Sequence, residues 1–118
     1  MPRPPRQTPD DRQRLDAQTR RNLAGLELEA AGRTDEAIIL YEQNIAEAFE
    51  GDWPYGRLVA YYERIEAFDD ARRVLEMGIA AMTGSRRRSA ADRRGVIRAF
   101  RGRLKLLRSR GPKTATEP

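Results

Sequence analysis

A shift of 34 residues lays one stretch of this chain over another. Asp35 falls on Asp69, Glu36 on Asp70, Ala37 on Ala71 and Leu40 on Val74. Tyr41 falls on Leu75, Glu42 on Glu76, Ile45 on Ile79 and Ala46 on Ala80. Upstream the agreement thins: Ala24 meets Leu58, Leu28 meets Tyr62 and Glu29 meets Glu63. A fixed period of this length constrains the fold more than any single motif. Each unit must be one supersecondary element whose apolar face is buried only by stacking on a neighbour.

The spacing of apolar residues predicts what those units are. Thr8-Pro9-Asp10-Asp11 reads as a helix start, with a capping hydroxyl, a proline suited to the first position and two carboxylates at the positive end of the dipole. Leu15, Leu23, Leu26 and Ala30 share a face of that helix, Leu28 and Ala31 lie beside it, and Gly32 ends it. Thr34 is expected to cap a second helix, with Ala37, Ile38, Tyr41, Ile45 and Ala48 as its apolar face and Gly51 as its stop. A third helix begins at Pro54 and carries Leu58, Val59, Tyr61, Tyr62 and Ile65. After a break near Phe68, Asp69-Asp70 open a fourth, with Ala71, Val74, Leu75, Gly78, Ile79 and Met82, and Gly84 just past its end. Ser89-Ala-Ala-Asp92 has a capping-box layout and starts a fifth, whose stripe is Ile97, Phe100, Leu104 and Leu107 with Val96 beside it. No segment alternates with period two, so no sheet is expected.

The stretch Ala31-Gly-Arg-Thr-Asp-Glu-Ala-Ile-Ile-Leu-Tyr41 resembles the tetratricopeptide repeat family. Gly25 stands where the family has a small residue in its first helix, Gly32 at its turn glycine, and Ala37 and Tyr41 at its alanine and aromatic. The second copy keeps Ala71 but has Glu66 at the turn and Leu75 in place of the aromatic. The resemblance covers residues 18–83. It implies an all-α fold of antiparallel helix-hairpin repeats. The expected domain is 8–110, with repeats at 18–51 and 52–85, a Pro/Arg arm at 1–7 and a tail at 111–118. Two repeats are fewer than the three or so a stable stack needs, so the helix at 89–110 is expected to cap the stack unless a partner chain completes it.

The composition excludes much chemistry. The chain has no cysteine and no histidine. Disulfides, thiolate nucleophiles, Cys/His zinc sites and the usual neutral-pH base are therefore absent. No catalytic motif appears, so the expectation is a non-enzyme without cofactor or metal. Adjacent carboxylates such as Asp35/Glu36 and Asp69/Asp70 fall in first helical turns, where the dipole explains them. No apolar run approaches the roughly 18 residues of a membrane span. Met1-Pro-Arg-Pro-Pro-Arg6 has charge with no apolar stretch behind it, so the expected location is cytoplasmic.

Charge is unevenly placed. The net charge is +5, yet residues 15–83 carry 7 Arg against 14 acids, while residues 84–118 carry 12 basic residues against two acids. Such asymmetry points to an anionic partner or to association between the halves.

Two surfaces follow as candidates. By resemblance, repeats of this kind bind a peptide or helix of a protein partner in a groove lined by the first helix of each pair. The groove positions map to Thr19, Asn22, Leu26, Glu29 and Ala30, then Trp53, Gly56, Arg57, Ala60, Glu63 and Arg64. The family's carboxylate clamp is not matched: only Asn22 and Arg57 lie near its places, and Leu26 stands where an asparagine is expected. Trp53 reads either as a binding anchor or as a loop tryptophan covering the repeat junction. The alternative surface is basic: Arg86, Arg87 and Arg88, then Arg94, Arg98 and Arg101 with Arg93, Arg103, Lys105 and Arg108. It reads as a solvated cap face, as a surface held against acidic residues of its own or a neighbouring subunit, as a contact for DNA or RNA phosphates, or as a membrane-surface helix. Gly95 and Gly102, seven apart, suggest close approach of a second helix, as in a homodimer.

Overall fold

At the first three helix junctions among the described residues the backbone turns left-handed, at Gly32, Ala48 and Glu66 with φ 78°, 55° and 60°. The computed structural model describes residues 8–110; the arm expected at 1–7 and the tail expected at 111–118 lie outside the described residues. Among the described residues five helices are present: α1 (Pro9–Ala30), α2 (Thr34–Ala46), α3 (Trp53–Arg64), α4 (Phe68–Thr83) and α5 (Ala90–Arg110). No strand occurs among the described residues.

Each left-handed residue closes a helix with paired bonds that satisfy its last carbonyls. After α1, the Arg33 and Gly32 amides donate to the Leu28 and Glu29 carbonyls at 2.8 and 3.0 Å. After α3, Ala67 and Glu66 donate to Tyr62 and Glu63 at 2.7 and 3.0 Å. Gly32 and Glu66 are 34 residues apart, as are the helix ends Ala30 and Arg64 and the helix starts Thr34 and Phe68. The offset read in side chains is thus also an offset in backbone conformation.

The same turns correct several expected boundaries. The first turn leaves no room for Thr34 to cap α2: Arg33 is the flanking residue, and its guanidinium instead reaches Glu36 at 2.6 Å. Likewise Phe68 is the first residue of α4, not part of a break before it. α2 stops at Ala46, well before Gly51, because Phe49 and Ala48 turn back to the carbonyls of Asn44 and Ile45 at 3.1 and 3.0 Å. Thr8 does cap α1, and Asp11 returns the bond to its amide at 3.0 Å. Ser89 Oγ accepts from the Asp92 amide at 3.1 Å, but the Asp92 carboxylate is taken by Arg88 at 2.7 Å, which leaves that capping box half made.

Each helix packs against the next in sequence, and α1 and α2 run antiparallel. On α1 and α2, Glu29 meets Tyr41 while Gln18 meets Asn44, so one sequence descends as the other rises. The core lies on α2, α3, α4 and one side of α5. Ala37, Tyr41, Ile45, Tyr55, Leu58, Val59, Ala71, Val74 and Leu75 are all buried, joined by Phe100, Leu104 and Leu107. α5 packs on α4, where Gly78 lets the Phe100 ring approach its backbone; a Cβ there would lie 2.6 Å from the ring. The thinnest extent is 20 Å, about two helix diameters, so two layers fill it.

α1 departs from the expected pattern. Its leucine face does not enter the core: Leu23 is 57% exposed and Leu26 45%. The side that meets α2 buries Gln18 and Gly25 instead. Asn44, fully buried on α2, organises this contact. Its amide donates to the Gln18 carbonyl and to Asn22 Oδ1, both at 2.8 Å, and accepts from Arg21 at 2.9 Å. Arg21 and Gln18 then share Glu47 Oε1, at 2.9 and 3.2 Å. Every polar group of Asn44 is satisfied, as burial demands. α1 meets α2 through these hydrogen bonds together with Gly25 on the Tyr41 ring and Leu28 on the core edge.

Candidate functional site

Helical spacing puts Thr19, Asn22, Leu23 and Leu26 on one side of α1, and Trp53, Arg57, Ala60 and Arg64 on one side of α3. The fold brings the two sides together at Trp53. Thr19, Asn22, Leu23, Leu26 and Trp53 line one open depression of about 250 Å³ whose wall is almost wholly apolar. Trp53 opens α3 and is 40% exposed, so its ring is neither a buried plug nor a free flag. The Arg57 guanidinium sits over that ring, 5.8 Å from its centroid.

Arg57 is also the tie that sets the wall spacing. Its Nε donates to Glu29 Oε2 at 3.1 Å, and Nη2 bonds the other carboxylate oxygen. Tyr41 Oη donates to Glu29 Oε2 at 2.6 Å. One carboxylate on α1 therefore holds α2 and α3 together. Arg57 keeps the Glu29 carboxyl below the usual range despite partial burial. Burial, then the bond to Glu29, push the Tyr41 hydroxyl up to about 12, so it remains a donor across the physiological range. Of the predicted groove residues, Thr19, Asn22, Leu26 and Trp53 meet in the depression, and Arg57 borders it. Glu29 is occupied by its two partners. Ala60 is half-buried, while Arg64 is exposed and stacks on Tyr61 at 5.6 Å. Glu63 is engaged by Arg103 of α5 at 2.8 Å. Leu23 belongs to this wall although its apolar character assigned it to the core; its spacing from Thr19 and Leu26 was the signal available.

The basic residues divide into two groups. Arg87 and Arg88 both donate to the Glu50 carbonyl, at 2.8 and 3.2 Å, and Arg88 also holds Asp92. Ser85, buried beside them, donates to Glu50 Oε1 at 2.7 Å. This turn is thus fastened to the acidic body, and only Arg86 of its three arginines has no bond among the described residues. Arg94, Arg98, Arg101, Lys105 and Arg108 differ: all are exposed, and none pairs with a carboxylate among the described residues. Their spacing of four, three, four and three residues confines them to an arc of about 80°. Like charges at such spacings repel by about 0.2–0.5 kcal/mol per pair, so the stripe costs α5 about 1–2 kcal/mol at low salt.

Gly95 and Gly102 are exposed, with nothing within 4 Å of a built Cβ. A further depression of about 370 Å³ sets Asp11, Glu47 and Glu50 against Arg14, Arg86 and Arg87, so charges of both signs line it. Among the described residues no group of three or more carboxylates is placed to hold a metal, and no helix is long and apolar enough to cross a membrane. Comparison with family models, with curated proteins and with solved structures finds no match.

Proposed function

We propose that this chain is a short tetratricopeptide-like module for protein–protein interaction, an adaptor or small regulatory scaffold without catalytic activity. It takes a peptide or helix of a protein partner across the α1–α3 face. The observation that carries this reading is the exposed Leu23–Leu26–Trp53 depression between the first helices of the two hairpins. Apolar side chains at i and i+3 of a surface helix, left exposed beside a tryptophan and an arginine, make a wall suited to an apolar anchor. The matching turns at Gly32 and Glu66 support the repeat architecture from which such a face arises.

The test is a peptide display selection against the full chain, with selected peptides measured by fluorescence anisotropy on three proteins. Trp53→Ala and Leu26→Ala change part-exposed side chains outside the buried core cluster, so helicity should hold. A central tryptophan anchor contributes about 2 kcal/mol or more, so Trp53→Ala should weaken selected peptides about 30-fold. Peptides that bind both variants as well as the parent would sink the reading. Arg57→Glu is the poorer probe, because it would also push the Glu29 tie apart.

A further inference from the structure

We infer that α5 carries a second interaction surface, separate from the α1–α3 face, and that its partner is the phosphate backbone of a nucleic-acid duplex. The surface is the stripe Arg94, Arg98, Arg101, Lys105 and Arg108.

Placement argues against a merely solvated face. Beside the stripe, Arg88 holds Asp92 and Arg103 holds Glu63, while half-buried Arg93 has an Nε without a hydrogen-bond partner among the described residues. None of the five stripe residues forms an ion pair among the described residues. No Asp or Glu occurs between residues 93 and 110. The stripe runs 14 residues, or about 21 Å along the helix axis. A duplex presents one charge per roughly 1.7 Å of its axis, so this length faces a continuous array of phosphates. Four of the five are arginine, whose planar fork suits phosphate oxygens. Gly95, Gly102 and Ala99 beside the stripe are small and exposed, which lets a rigid rod approach the helix closely.

The same face disfavours other anionic partners. A helix that lies on a membrane needs an apolar side to insert. That of α5 is spent on α4, with Phe100, Leu104 and Leu107 buried and only Leu106 largely exposed. No aromatic ring lies on its open side, so bases have no platform to stack on. What remains is contact with the backbone, which positions but does not read sequence. The net negative charge of residues 15–83 turns the rest of the molecule away from the polyanion and orients α5 toward it.

The experiment measures anisotropy of a labelled random-sequence duplex DNA with the full chain between 50 and 200 mM salt. Full engagement of five cations predicts a log–log slope of about −4.5, an affinity loss of about 500-fold over that range. Arg94→Gln/Arg98→Gln/Arg101→Gln should bring the slope to about −1.8, with helicity retained. Arg103→Gln, off the stripe and paired with Glu63, and Trp53→Ala, on the other face, should leave the slope unchanged. No binding at 50 mM salt overturns the inference. So does a slope equally reduced by Arg103→Gln, or binding to phosphatidylserine vesicles without binding to duplex. Because Trp53→Ala reports on the groove alone, failure of either surface is read independently of the other.

Discussion

Gly25 and Tyr41 meet where α1 packs on α2, and the positions 34 residues on hold a different pair of sizes. A Cβ on Gly25 would lie 2.5 and 2.7 Å from Tyr41 ring carbons. Tyr41 is fully buried and its hydroxyl is held by Glu29, so the ring has nowhere to swing. The positions 34 residues on are Val59 and Leu75, both fully buried. The first pair sets a very small residue against a large one, and its counterparts 34 residues on are both of medium size. Gly25→Val should therefore overpack, at about 2–3 kcal/mol after a few tenths gained in helix propensity. Tyr41→Leu should cost about 2–3 kcal/mol from lost ring volume and the lost bond to a carboxylate. Additivity would make the double variant about 4–6 kcal/mol less stable. If the pairs are interchangeable solutions, the double variant should lose only about 1–3 kcal/mol, a coupling of about 2–3 kcal/mol toward rescue. Urea unfolding followed by helical circular dichroism measures all four corners. Additivity within about 0.5 kcal/mol would refute the steric argument.

Three further outcomes follow from the same structure. Gly95→Ala and Gly102→Ala meet open space and should each stabilise by up to about 1 kcal/mol, whereas Gly78→Ala drives a Cβ to 2.6 Å from the Phe100 ring and should destabilise; thermal melts give the signs. Glu66→Gly should stabilise and Gly32→Ala destabilise, each by about 1 kcal/mol, because both positions hold positive φ; equal signs in denaturant titrations would refute this. The Glu29 and Glu47 carboxyls are held below their ordinary 4.5 by Arg57 and Arg21, so their contribution is whole above about pH 4.5 and is lost as pH falls through the folded values. Glu29→Gln should lower stability at pH 7 and flatten the acid limb of a stability–pH curve; an unchanged limb would remove Glu29 from it.

How much of this was legible depended on what each residue competes with. Helix number and the 34-residue turn offset could be read because apolar spacing and the first turn's glycine agree with the fold. Glu66 could be placed at its turn by the offset alone, but left-handed Ala48 carries no compositional mark, so that turn was hidden and the end of α2 was placed too late. The leucines of α1 misled for a physical reason: periodicity identifies a face but not which face is buried. The polar contact through Gln18, Asn22 and Asn44 was invisible, since buried amides look like surface residues until their partners are known. On α5 the basic residues were legible as a group. Which of them are engaged was not, because the partners Glu50 and Glu63 lie 37 and 40 residues away in sequence.

The hydrogen-bonded seat of α1 has a consequence for its opening. Water can replace hydrogen bonds at little net loss, but it cannot replace apolar burial, so α1, whose leucines Leu23 and Leu26 stay outside the core, should detach first. α1 is also one wall of the depression at Leu23 and Leu26. A ligand there would bind only the attached state, and its apparent dissociation constant would rise as the attached fraction falls. By the same linkage, occupancy would slow amide hydrogen exchange along α1 more than elsewhere. The amides of α1 thus form a built-in gauge of binding, readable before any partner has a name.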